Sequence, residues 1–445
     1  MRLIAPLFIR RASVRAACAG FLLAVISQIA TAQTITKLDL ERGRAMLQTI
    51  KTELKKNYYD PSFHGIDIES RFQTAEEKIK QASSNGQIFG IIAQVLIELD
   101  DSHTFFVPPP RATKVQYGWE MQMIGQGCYV TAVKPGSDAE AKGLKVGDQI
   151  LMIGSYQPTR QNLWTISYLI YAIVPQPVLS LKVRTVDGAE RQLEIRAEMK
   201  EGKRVRDFTN YNEIQEAVRE TQNENCLHRH RTAEVGDDLL IWKMPAFDQT
   251  IEQVDTMIDK ARKHKTLIID LRGNGGGRQD TLLRLVGGLF DRDIQIGELK
   301  GRKENKPLKA KTQGKDIFTG QLIVLVDSQS GSAAELLARI IQLEKRGQVL
   351  GDQTPGYVMR ARYYPLQVGV TTVTLFGLSV TDADLIMSDG KSLEKIGVTP
   401  DEVSLPTAAD LAAKRDSVLT RAAALLGVKL EPEKAGSFFP LEWLK

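Results

Sequence analysis

Val326-Asp327-Ser328-Gln329-Ser330-Gly331-Ser332-Ala333-Ala334-Glu335 is the end of an apolar run that passes through small residues into a helix-forming stretch. Leu322 to Val326 is unbroken aliphatic sequence. A strand without polar alternation is buried on both faces, the texture of a parallel sheet covered by helices. Ser332 falls where that strand turns into the helix. A serine at such a turn is exposed, and the positive end of the helix dipole favours an alkoxide or a neighbouring oxyanion. Ser332 and Glu335 also have the spacing of a capping box, so a purely structural N-cap has the same local pattern.

Upstream, the apolar strand Leu267-Ile268-Ile269-Asp270-Leu271 ends in Arg272-Gly273-Asn274-Gly275-Gly276-Gly277. Glycine backbone presents unobstructed N–H donors, which suits an oxyanion hole. A phosphate-cradling loop is the competing reading, but the Gly-Lys-Ser/Thr ending is missing. Before this strand, Leu239 to Met244 reads as a further strand, and Thr250 with Gln253 opens a helix whose apolar face is Ile251, Val254, Ile258 and Ala261. Strands alternating with helices predict an α/β core. β-rich segments between Tyr363 and Val380 and a closing helix near Ala408 to Leu426 complete it.

Working outward, Leu38 to Leu99 has helical periodicity, with stripes at Met46, Leu47 and Ile50 and at Ile92, Val95, Leu96 and Leu99. From Tyr117 to about Met199 the texture is short β runs and glycine turns: Cys128 to Val133 as a strand, Asp138 to Lys142 as a short helix, Gln149 to Ile153 as a strand. The first residues carry Arg2, Arg10, Arg11 and Arg15, an apolar run from Ala16 to Ala30, and Ala30-Thr31-Ala32 before Gln33. This is a secretory signal with a small-x-small cleavage site, which predicts export to the periplasm or the cell exterior. The expected division is signal 1–32, helical domain 33–112, β-rich domain 113–200, α/β core 201–430 and tail 431–445.

The chain has 59 Lys and Arg against 54 acidic residues, and four of the basic ones lie in the signal. The mature chain is close to neutral and has no dense basic patch, which excludes nucleic acid as partner. An integral membrane protein is excluded too, since no apolar run of spanning length follows the N-terminus. Cys128 and Cys226 allow one disulfide after export. The Cys226, His228 and His230 cluster reads as a surface loop rather than a metal site, because no second pair of ligands lies nearby. His64 and His264 read as solvated surface residues.

The order of Gly-Ser, alanine-rich turn, Gly143-Leu144, Gly147-Asp148 and Ile150-Leu151 resembles a PDZ domain. Such a module offers a strand edge to an extended peptide and backbone amides to its terminal carboxylate, here near Tyr117 to Glu120. Together with the serine and glycine segments, the mature chain resembles the tail-specific and C-terminal processing serine proteases, which implies a crotonase-like α/β core. The resemblance makes Ser332 the nucleophile of a Ser-x-Ser-Ala-x-Glu motif and places the oxyanion hole at Gly275, Gly276 and Ala333. Where that family carries a general-base lysine, this chain has Thr354-Pro355-Gly356-Tyr357, and a phenol with pKa about 10 is a poor base at neutral pH. A second branch, similar to the tricorn protease core, activates its serine with histidine. Ser102-His103 and Glu394 match its motifs, which implies His103 as general base with Ser102 and Glu394 orienting it. The expected activity is hydrolysis of polypeptides, recognised in part by their C-termini, with no cofactor and no metal. The alternative is a non-catalytic ligand- or peptide-binding protein on the same fold, as in interphotoreceptor retinoid-binding protein.

Overall fold

The computed structural model describes residues 35–201, 213, 226–227, 229–370 and 372–443. The expected signal, which includes Cys18, and His228 lie outside them. Among the described residues no helix is long and apolar enough to cross a membrane.

Three helices open the described chain: α1 (Lys37–Asn57), α2 (Ile68–Lys80) and α3 (Asn85–Ile97). Each begins at a side-chain cap, Thr36, Asp67 and Ser84, which satisfies backbone N–H groups the first turn leaves without partners. Leu47, Ile50, Phe72, Ile79, Ile92 and Leu96 form their shared core. That core does not close on itself. It includes Phe105 and Phe106 of β1 (Phe105–Val107), which pairs antiparallel with residues 377–379 some 270 positions later. The helical domain is thus stitched to the α/β core through the strand that follows His103, so the expected boundary at 112 does not separate the two.

β2 (Thr113–Gln116) leads into five strands, β3 (Trp119–Ile124), β4 (Gly127–Val133), β5 (Gln149–Ile153), β6 (Val178–Arg184) and β7 (Glu190–Arg196). Each is antiparallel to the next, and β3 lies at an edge. α4 (Asp138–Ala141) and α5 (Leu163–Ser167), which continues as a wide turn over Tyr168–Ile173, complete the module. β8 (Glu198–Glu201) returns antiparallel to β2, so entry and exit of the module are tied together.

The core sheet has the order β10-β11-β12-β15-β16-β19. After β9 (Cys226–Leu227) come β10 (Arg231–Val235) and β11 (Leu239–Lys243) as an antiparallel pair; from β11 onward the sheet is parallel. α6 (Ile251–Ala261) crosses to β12 (Thr266–Asp270), and α7 (Gln279–Gly287) to the antiparallel pair β13 (Ile294–Gly301) and β14 (Asn305–Ala310). β15 (Gln321–Val326), α8 (Ala333–Leu343) and β16 (Gln348–Gly351) form the crossover that carries Ser332. β12 and the last five residues of β15 are fully buried, as aliphatic runs require. A long hairpin, β17 (Met359–Val368) and β18 (Thr374–Met387), joins β1, β13 and β14 in a second sheet.

β19 (Glu402–Val403) closes the core edge. The closing helix is two helices, α9 (Ala408–Ala412) and α10 (Ser417–Leu425), separated where Lys414 takes a φ of 55°. The segment expected as a tail is packed: α11 (Pro432–Ser437) buries Ala435 in the core, and β20 (Glu442–Trp443) pairs with β9.

Candidate active site

β12 and β15 are neighbouring parallel strands, so their C-terminal loops emerge side by side at the edge where open α/β sheets bind ligands. One loop is the glycine cluster and the other carries Ser332. Gly331 N–H donates to Asn274 O at 2.9 Å and Leu271 N–H to Leu325 O at 2.9 Å, which locks the two together. A Cβ placed on Gly276, whose φ is +102°, would stand 2.6 Å from Ser332 Cβ and 3.1 Å from Ala333 N. Only glycine fits there. The Gly276 amide already donates to Asn274 Oδ1 at 2.8 Å.

Ser332 itself has φ 53° and ψ −117°, a conformation that costs an L-residue about 1–3 kcal/mol. It is held in place by its own amide, which donates to Tyr357 O at 2.8 Å and to Glu335 Oε2 at 3.1 Å. Glu335 is fully buried and accepts three further bonds, from Thr354 Oγ1 at 2.6 Å and from the Gly356 and Tyr357 amides at 2.8 Å. Burial pushes its carboxyl up to about 7 against the pull of these donors. Glu335 is therefore the hub that fixes residues 354–357 around the serine, a larger role than the capping-box spacing foretold.

On the other side of the site, Glu394 accepts from Ser102 N–H at 2.9 Å and from Ser102 Oγ at 2.9 Å. Ser102 Oγ in turn lies 2.6 Å from His103 Nδ1. With its proton given to Glu394, Ser102 Oγ can only accept from the ring, so Nδ1 carries the hydrogen and Nε2 keeps its lone pair. Burial pulls His103 down to about 4, opposed by the charge of Asp101. Burial also pushes Glu394 up to about 7, opposed by its bonds to Val358 and Ser102. The phenol of Tyr357 is pushed up to about 12 by burial and by Glu335 and Glu394, which leaves it protonated at neutral pH.

The two halves meet at one peptide unit. The carbonyl of Tyr357 takes the Ser332 N–H, and the amide of the same bond, on Val358, donates to Glu394 Oε2 at 2.9 Å. Among the described residues no hydrogen bond joins His103 directly to Ser332; the link runs through this peptide, Glu394 and Ser102.

The β-rich module lies against the same loop. Gln329 Nε2 donates to Met121 O at 3.2 Å and Ser328 Oγ to Met123 O at 2.5 Å, so two carbonyls of β3 are engaged by residues just before Ser332. Gln122 Nε2 reaches Asp327 Oδ2 at 2.6 Å, and Arg160 pairs with Asp352 and donates to Gly125 O and Gln353 O. The edge expected to stand open is thus covered in part by the core.

The remaining histidines lie elsewhere. His230 Nε2 bonds Asp248 Oδ1 at 2.7 Å beside a cavity of about 480 Å³ lined also by Gln249 and Met257. His64 is held between the Tyr59 hydroxyl and Leu99 O. His264 is not a solvated residue: its side chain is only 8% exposed and bonds Lys260 O. Cys128 is buried with a free thiol.

Residues 238–404 match the model of Peptidase family S41, and residues 111–163 match the PDZ domain. The C-terminal processing peptidase of the chloroplast of Tetradesmus obliquus is 25% identical over 369 residues, covering 77% of this chain and 73% of its own. The tail-specific protease of Haemophilus influenzae is 23% identical over 351 residues, covering 75% of this chain and 48% of its own. The crystal structure of mature CPAF superposes with a TM-score of 0.63 at 14% identity, over 84% of this chain and 95% of that one. Fold and matched domains together define a serine-type peptidase. Its α/β core is similar to peptidase family S41 and its β-rich module to the PDZ domain, and over most of its length it resembles the tail-specific and C-terminal processing proteases.

Proposed function

We propose that this chain is an exported endopeptidase that cleaves polypeptides through an acyl-enzyme on Ser332, with His103 as general base. The observation that carries this reading is the Tyr357–Val358 peptide, which couples the serine backbone to the Glu394–Ser102–His103 chain. His103 Nε2 takes the proton as Ser332 Oγ forms its bond to the scissile carbonyl carbon. The same nitrogen then returns the proton to the leaving amine as the C–N bond breaks, and water repeats the sequence in reverse. Substrate binding closes the gap between His103 and Ser332, since catalytic hydrogen bonds tighten in the Michaelis complex. The oxyanion rests on the amides of Gly275 and Ala333. The Gly276 amide is spent on Asn274, so its part is the space it leaves for Ser332.

The PDZ domain brings substrate C-termini to this site, in keeping with the names of the related processing peptidases. A peptide adding to β3 displaces Gln329 and Ser328 from the Met121 and Met123 carbonyls. Export rests on residues 1–32 of the sequence alone.

Labelling of mature protein with a serine-directed fluorophosphonate tests the assignment. Ser332→Ala and His103→Ala lose the label and Tyr357→Phe keeps it; retention of full labelling in His103→Ala removes histidine from the mechanism.

A further inference from the structure

The orienting chain leaves a question of charge. His103 is partly buried, and a base in that setting needs a negative group to hold the imidazolium formed when it takes the serine proton. Glu394 reaches it only through the Ser102 hydroxyl. Asp101 stands nearer in the chain and acts directly. Its Oδ1 accepts the His103 amide at 2.9 Å, the Thr104 amide at 2.7 Å and the Thr381 hydroxyl at 2.7 Å. Three donors on one oxygen fix this carboxylate and, through it, the backbone of the histidine. Thr381 belongs to β18 and bonds Thr104 through its own amide as well, so the second sheet buttresses the arrangement.

The other oxygen, Oδ2, is buried with no hydrogen-bond partner, although the Tyr58 hydroxyl, equally unpartnered, lies beside it. A half-satisfied buried carboxylate costs stability. Asparagine would supply the same acceptor to the three donors as a neutral group that costs less to bury, so the negative charge itself needs a use. The groups facing this corner are Tyr58 and Tyr59 just after α1, the Asp60 carboxylate beside them, Asp384 of β18, and Glu394 through Ser102. Lys395, next to Glu394, is drawn away to Asp100 at 3.0 Å. No cation competes with His103 for Asp101 among the bonds and ion pairs of the described residues.

We propose that Asp101 is a positioning residue of this site, holding the His103 backbone and supplying the negative charge that stabilises its imidazolium, while Glu394 acting through Ser102 sets the ring's orientation. This rests on His103 being the base. Two carboxylates then divide what a single aspartate does in the usual serine-protease triad.

The test compares Asp101→Asn with Thr381→Val in the mature protein, reading fluorophosphonate labelling rate against pH together with the thermal midpoint. Asp101→Asn keeps the acceptor and removes the charge; Thr381→Val keeps the charge and removes one donor. Asp101→Asn is expected to label about three- to tenfold more slowly at its plateau, since rate follows base strength, and to shift the acid limb of the profile to lower pH. Thr381→Val is expected to lose thermal stability without moving that limb. Equal behaviour of the two variants, or an unmoved limb and plateau in Asp101→Asn, overturns the proposal. Failure of the base assignment is read separately, from full labelling of His103→Ala.

Discussion

Replacing Gly276 by alanine puts the closest contact in the site under load. The new Cβ would lie 2.6 Å from Ser332 Cβ and 3.0 Å from Gly331 O, where carbon atoms rest at about 3.5–4.0 Å, and φ of +102° is a region alanine avoids. Backbone strain of about 1–3 kcal/mol and overlap of a similar size add to about 2–6 kcal/mol. Neither side can retreat freely. The glycine loop is bound to Phe247, which donates to Gly276 O at 2.8 Å and accepts from Arg278 N at 2.7 Å, and Ser332 is held by Tyr357 and Glu335. The overlap therefore resolves as a displacement of the nucleophile by about an ångström, enough for about a 100-fold loss of rate. Gly275→Ala is the matched control, because its Cβ meets nothing within 4 Å and its φ is not positive. Stopped-time fluorophosphonate labelling and scanning calorimetry read both effects. Labelling of Gly276→Ala as fast as that of Gly275→Ala would refute the close packing of loop on nucleophile as the basis of alignment.

Three further outcomes follow from the same geometry. Glu394→Gln sets a neutral group against Ser102, which can then turn its own hydrogen toward His103 Nδ1 and shift the ring proton to Nε2; labelling should slow at every pH relative to wild type. Glu335→Gln points an NH2 group at two donors in either orientation, at about 2–4 kcal/mol, so urea should unfold it at a lower concentration than wild type. Arg272 binds both Asp270 and Asp416 with paired bonds at 2.7–2.9 Å, and Arg272→Met leaves the buried Asp270 with Lys243 alone; a loss of about 3–5 kcal/mol is expected in the same assay.

The parallel core was legible because β12 and β15 must be aliphatic on both faces, and the PDZ strands because their turns are marked by glycine. Ser102, His103, Ser332 and Glu394 were expected from short motifs; hydrogen bonds join Glu394, Ser102 and His103, and Ser332 is tied to them through the Tyr357–Val358 peptide. What sequence could not show is set by distance along the chain. Asp101 meets Thr381 across 280 positions, and Glu335 reaches forward to Thr354, Gly356 and Tyr357. His264 was misread because its lysine neighbours point outward while its own ring packs back against Lys260 O. The break at Lys414 carries no glycine or proline to announce it.

The peptide between Tyr357 and Val358 has a consequence for how this site tolerates change. Its two bonds come from main-chain atoms, so substitutions at 357 that keep the backbone path leave the relay standing. That leaves the side chain at position 357 without a part in the relay. Proline is the exception at both positions: at 358 it removes the N–H that Glu394 receives, and at 357 the N–H that Glu335 receives. A mutational scan should thus read as permissive at 357 except for proline, while position 358, 2% exposed in the core, should accept only apolar residues of similar size.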